Sequence, residues 1–262
     1  MTLRHATASE PASCPGVVPS LQWDDASHLR GEIHTAERLE RHAAEVARAH
    51  GRPSPDAPPG ALRQRFVEAR ERIARAYEVL APSGRTREPS PAEEWLLDNS
   101  HVVDDQIREV EHDLPWGYLL ELPRLADGKM RGHPRVYGLC LDYLRHTDGR
   151  VDLATLTRYV RAYQRVRRLT IGELWAIPIM LRVGLVLAVG ALAASETSAR
   201  DRERGETWAT RVIEKGRSPQ RVSAALAELE KTDPPVTPEL LALLLRRIRE
   251  HDAPIATAFD WV

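Results

Sequence analysis

The sequence predicts an all-α protein, an array of about eight to ten helices behind a disordered N-terminal leader. Three observations predict it. From residue 31 onward, apolar residues recur every three or four positions. No stretch alternates apolar and polar side chains, and no strand–turn–strand signal occurs. Two capping boxes, Ser90 to Glu93 and Thr170 to Glu173, each stand just ahead of an apolar-periodic run.

Residues 1–25 are rich in Pro, Ser and Ala and show no period, so they form the leader. The first helix is expected over Gly31 to His50, stopped by Gly51 and by Pro53, Pro58 and Pro59. The second spans about Ala61 to Leu80, with Leu62, Phe66, Ala69, Ile73, Tyr77 and Leu80 on one face. The third begins at the Ser90 cap, with Pro91 at its first position, and continues through EWLLDNSHVVDDQIREVEHDL as one helix. Pro115, Pro123 and Pro134, with several glycines, then break the chain into short pieces. A helix over Pro134 to His146 follows, then the turn HTDGR, then a helix capped by Asp152.

Leu174 to Ala194 is the most apolar segment and is long enough for a membrane span, which takes about 20 residues. Arg182 in its middle favours a buried core helix over an inserted one. The charged run 196–206 is expected to break the helix, and two last helices cover about 218–231 and 237–250, the second capped by Thr237. This divides the chain into a leader (1–25), a helical domain (26–195) and a C-terminal helical pair (196–262).

Composition narrows the function. The 37 Lys and Arg against 38 Asp and Glu give a net charge of −1, which argues against a nucleic-acid partner. With 42% hydrophobic and 29% charged residues the chain is globular. Cys14 and Cys140 sit in unrelated contexts, which suits a reducing cytoplasm. The sequence holds no Gly-x-Gly, Gly-x-Ser-x-Gly, His-Glu-x-x-His, Cys-x-x-Cys or Asp-x-Asp. No cofactor is therefore expected in this chain, and no catalytic residue can be named.

Several polar groups still stand out. Asp98, Asp105 and Glu109 line one side of the third helix. They read as partners for arginines, with a sugar-holding or acid/base strip as the alternative. Asn99 and Gln106 fall inside the same helix's apolar arc and would need buried partners, from backbone or in a polar pocket floor. Trp95, Trp116 and Trp175 read as core or interface anchors. Arg161, Arg165, Arg167 and Arg168, around Tyr163, read as a solvated face before phosphate or anionic lipid. His34, His42 and His50 recur every eight residues, spiral apart on a helix, and read as surface histidines rather than a metal set.

The runs LRGEIHTAERLERHAAEVARAH, EWLLDNSHVVDDQIREVEHDLPWGY, ELPRLADG, HPRVYGL and VRAYQRVRRLTIGELWAIPIMLR, collinear over residues 29–183, resemble the N-terminal region of cyclic β-1,2-glucan synthases. These are bacterial membrane enzymes of glycosyltransferase family 84. The resemblance implies a part of a machine that polymerises glucose from UDP-glucose, trims the chain with a phosphorylase-like domain and cyclises it. It also implies partners in those transferase and phosphorylase parts. The transferase signatures of the family lie beyond the matched region, so no catalytic role is carried over. Trp95, Asp98, Asn99, Gln106, Tyr118, Glu121, Tyr137, Glu173 and Trp175 belong to the matched segments, by membership alone. Ser100 and the small apolar run Val183 to Ala194 depart from the family pattern, and residues 196–262 resemble it weakly.

The expected function is a non-catalytic helical region, detached or truncated from a larger synthase, that scaffolds or positions glucan synthesis. A standalone helical interaction module is the alternative. The expected location is the cytoplasm, with the inner membrane reached through 174–194 or through partners.

Overall fold

The structure is a computed structural model, and it describes residues 31–50, 53–54, 59–81, 88–214, 219–230 and 236–251. The predicted leader 1–25 lies outside the described residues. Among the described residues ten helices follow in order: α1 (Ala36–Ala49), α2 (Leu62–Leu80), α3 (Pro91–Asp98), α4 (Ser100–Asp113), α5 (Tyr118–Glu121), α6 (Arg135–His146), α7 (Leu153–Val166), α8 (Ile171–Glu214), α9 (Pro219–Glu230) and α10 (Pro238–His251). Among the described residues, extended pairing is confined to one isolated bridge between Arg124 and Pro134. The all-α prediction holds.

Helix α8 is the spine. Helices α2, α4 and α6 pack on its first half, α10 packs on its second, and α1 lies against α7. The main core runs from Leu39 and Phe66 through Val110, Tyr137 and Tyr163 to Met180 and Val183. A second, separate cluster gathers Trp208 and Val212 of α8 with Leu229, Leu240 and Leu244. Where α2 crosses α8 the backbones come close at Gly190. A Cβ there would stand 2.7 Å from the Cβ of Ala69 and 2.9 Å from its Cα.

The local start signals act as predicted. Ser90 Oγ accepts from the Glu93 N–H at 3.1 Å, while Ser90 N–H donates to Glu93 Oε2 at 2.9 Å. The same hydroxyl donates to Glu196 Oε2 of α8 at 2.8 Å, so one cap also docks α3 onto the spine. Asp152 accepts from Thr155 N–H, and Thr237 accepts from Leu240 N–H.

Three expectations are corrected. The first helix begins at Ala36 rather than Gly31, because Thr35 is its cap and His34 N–H is spent on the His146 carbonyl at 3.0 Å. The long third helix is two helices. Asn99 breaks it with φ −100 and ψ 11, and its Nδ2 donates to the Trp95 carbonyl at 2.9 Å. An Asn side chain competes with the helix for such carbonyls. The predicted break at 196–206 is helix throughout. Its charges ride mostly on Glu and Arg, both good helix formers, so charge density does not mark an end. Buried Asp201 within it accepts the Thr237 hydroxyl at 2.8 Å and fixes α10 to the spine.

One helix among the described residues, α8, is long and apolar enough to cross a membrane, and two thirds of its apolar window is buried inside the protein. Arg182 pairs with Glu109 of α4 at 3.3 Å. Both facts fit the core-helix reading.

Candidate functional site

The residues singled out from the sequence do not gather in one place. Asp105 pairs with Arg108 one turn on at 2.9 Å, Glu109 pairs with Arg182, and Asp98 is exposed. Arginines thus hold two of the three carboxylates on the surface, against an acid/base site there. Asn99 and Gln106 are half-exposed, not core amides. Asn99 bonds the backbone of its own turn, and Gln106 Nε2 donates to Glu109 Oε2 at 3.4 Å. Across the break the buried positions stay in phase, with Leu96, Val103, Ile107 and Val110 on one arc, and Asn99 and Gln106 lie at its edge. Trp95 and Val102 lie further round the same wheel, beyond that edge, and come out half-exposed. Trp116 packs on Phe66, but Trp175 is 81% exposed and anchors nothing in the core.

The arginine run splits as well. Arg167 donates from Nε to the Ala47 carbonyl at 3.1 Å, closing the end of α1, and Tyr163 points into the core. Tyr118 donates to the Gly172 carbonyl at 2.9 Å, Glu121 ends α5, and Tyr137 is buried with its ring against His133.

Glu173 is different. It is fully buried and forms a bidentate pair with Arg135, Nε to Oε1 at 2.8 Å and Nη2 to Oε2 at 2.6 Å. Its Oε2 also accepts from Thr170 N–H at 2.8 Å, so the capping box and the ion pair share one carboxylate. The other half of the pair, Arg135, opens α6 and further donates to the Arg168 carbonyl at 3.1 Å.

From this pair a polar seam runs between α1, α6 and α7. His50, at the end of α1, meets the Tyr163 hydroxyl at 2.9 Å. Burial pushes His50 down to about 4 and Tyr163 up to about 12, so a neutral imidazole and a protonated phenol share this bond. Gly138 makes room for this ring, since a Cβ there would lie 3.3 Å from His50. The seam continues at Asp142, which accepts from the Tyr159 hydroxyl at 2.7 Å and lies 3.0 Å from His42 Nε2. Burial pushes the Asp142 carboxyl up, but the close approach of His42, the bond from Tyr159 and the charges of His42 and His146 outweigh it and hold it below its usual range.

His50 sets a pH dependence. Its folded value lies below the ordinary 6.5, so between the two the unfolded chain binds more protons and stability falls as pH falls. The expected loss by pH 5 is ~2 kcal/mol from this group. Urea midpoints at pH 7 and pH 5 would read it, and His50→Gln should remove most of the difference.

Beyond Asp142 the seam ends in three histidines, His34, His42 and His146. The rings of His34 and His146 stack at 4.2 Å and 15°, and His42 sets its edge against both, at 5.3 and 4.5 Å. One ring nitrogen or another from each lies within 4.8 Å of the other two. His146 Nδ1 bonds the Glu32 carbonyl at 2.7 Å, the reciprocal of the His34 N–H to His146 carbonyl bond. These two bonds staple residues 32–34 to the end of α6. The sequence reading missed this cluster because it took His34 as helical and looked for partners only on that helix. His34 is off the helix, and the third ring comes from α6. The one local signal was Asp142 and His146, four apart on one helical face. Three imidazoles beside a carboxylate are a nitrogen/oxygen donor set suited to borderline transition metals.

No family model matches the chain. Among curated proteins it is similar to the cyclic beta-(1,2)-glucan synthase NdvB of Rhizobium meliloti (strain 1021), with 29% identity over 243 residues. The alignment takes in 92% of this chain and 8% of that synthase, so the chain spans under a tenth of its relative's length. The two are related, and the relation extends past the five motifs into the C-terminal helices.

Proposed function

We propose that this chain is a non-catalytic helical part of a glycosyltransferase family 84 system like that of cyclic β-1,2-glucan synthases, one that scaffolds or positions glucan synthesis. The supporting observation is the similarity to the NdvB synthase along nearly the whole chain. The chemistry of the described residues agrees. The buried carboxylate Glu173 and the half-buried Asp142 are engaged in an ion pair and a tyrosine–histidine network, and Asp105 and Glu109 are held by arginines.

A surface for the rest of the machine is at hand. Ile171 (73% exposed) and Trp175 sit one turn apart at the start of α8, and exposed Leu120 stands on α5, which Tyr118 ties to Gly172. Large exposed apolar side chains of this kind mark interaction surfaces. The transferase and phosphorylase parts of the synthase are the proposed partners, on the cytoplasmic side of the inner membrane. Association with the membrane would come through them.

The test is a transplant. A chimaera carrying this chain in place of the matching stretch of the NdvB synthase should make cyclic glucan, and a deletion of that stretch should not. A chimaera as inactive as the deletion would break the link to glucan and favour a standalone interaction module. Release of UDP from UDP-glucose by the isolated chain would overturn the non-catalytic reading.

A further inference from the structure

We propose that His34, His42 and His146 bind one divalent transition metal ion of the borderline class, such as Zn²⁺, Co²⁺ or Ni²⁺, with Asp142 as the adjoining carboxylate. The proposal is independent of the link to glucan. It rests on how the three rings are held and on what they lack.

Each ring comes from a different structural context, yet they converge. His42 is fixed on α1 and His146 on the last turn of α6, while His34 sits on the non-helical lead-in that the two backbone-directed bonds hold in place. His146 uses Nδ1 on the Glu32 carbonyl. That bond sets the tautomer with the proton on Nδ1 and leaves the Nε2 lone pair free for a metal, as the outer hydrogen bond of a metal-bound histidine does. His34 Nδ1 is buried and has no hydrogen-bond partner. A buried ring nitrogen without a partner is costly, and a ligand would satisfy it. His42 Nε2 comes within 3.0 Å of Asp142 but off the line of a hydrogen bond.

Charge points the same way. Three neutral imidazoles bring none, so the ion's two positive charges need a nearby carboxylate. Asp142 meets both rings, at 3.0 Å from His42 and 3.8 Å from His146. The nitrogens must draw in from 4.8 Å to roughly 3.3 Å, the ligand spacing that bonds of about 2.0–2.1 Å require. Rotation of the His34 ring about its side-chain torsions can contribute to that movement while the two bonds still hold its backbone. The metal would then clip residues 31–35 to α1 and α6.

The experiment uses the full chain, without a histidine tag and stripped by chelator, titrated calorimetrically with Zn²⁺ and, for spectroscopy, Co²⁺. One ion per chain is expected, with visible Co²⁺ bands of low-coordinate geometry and a rise in Tm on adding Zn²⁺. His34→Ala and His146→Ala should each weaken Zn²⁺ at least tenfold, and Asp142→Asn about 10–100-fold. His101→Ala and His112→Ala, on the exposed face of α4, should change nothing. His34 lies outside the helices, so His34→Gln serves if His146→Ala does not fold. Absence of stoichiometric Zn²⁺ and Co²⁺ binding by the wild-type chain would overturn the proposal. So would equal binding by the folded His34 variants.

Discussion

Glu173→Ala should destabilise the fold by about 3–5 kcal/mol, the cost of leaving a buried charge without its partner. Arg135 and Glu173 are both buried, and the guanidinium has one other recorded acceptor, the Arg168 carbonyl. Removing the carboxylate also takes away the Thr170 N–H acceptor at the start of α8, and cap losses of this type cost ~1 kcal/mol. Against a typical domain stability of roughly 5–15 kcal/mol, that is a large fraction. Chemical denaturation would measure it. The double change Arg135→Met with Glu173→Leu should recover most of the loss, because two apolar side chains leave no charge behind. If Glu173→Ala cost less than about 1 kcal/mol, water would have to reach Arg135 in the folded state.

Gly190→Val should cost ~3 kcal/mol, the upper end for overpacking. The added Cβ would meet both the Cβ and the Cα of Ala69 at under 3 Å. A flexible side chain could swing aside, but a helix backbone cannot, so α2 and α8 would have to separate along the main core. Gly205, on the same helix, is the control. A Cβ there meets Leu243 Cβ at 3.4 Å, so Gly205→Ala should be tolerated and should gain up to ~1 kcal/mol of helix propensity. Thermal melts of the two variants would separate a close crossing from a general intolerance of α8 to change.

What could be read in the sequence was mostly local. The boxes at Ser90 and Thr170 and the caps at Asp152 and Thr237 each depend on residues three apart, and all four form. The buried face of α2 follows the 3.6-residue period from Leu62 to Val79. Errors arose where a distant group decided the outcome. Charge at 196–206 looked like an ending, but Asp201 and Glu196 are held by Thr237 and Ser90 from far along the chain. Glu173 was legible as a capping residue and a motif member; its pairing with Arg135, 38 positions away, was not. Asn99 looked buried because it sits at the rim of the apolar arc, where neighbours from other elements decide between core and surface. The histidine cluster was hidden because His34 and His42 lie near each other in sequence but not on one helix, and His146 comes from a distant one.

Helix α8 has a mechanical consequence. Its 44 residues make a shaft of roughly 66 Å at 1.5 Å per residue, and each residue turns it by ~100°. The main cluster grips one end and the cluster around Trp208 grips the other. The continuous shaft between them fixes both their separation and their angular setting. A partner held by the far helices would therefore be presented at a set distance and bearing from one held near Trp175. A single inserted residue after Ser198 would lengthen the shaft very little but swing the far end through more than a quarter turn.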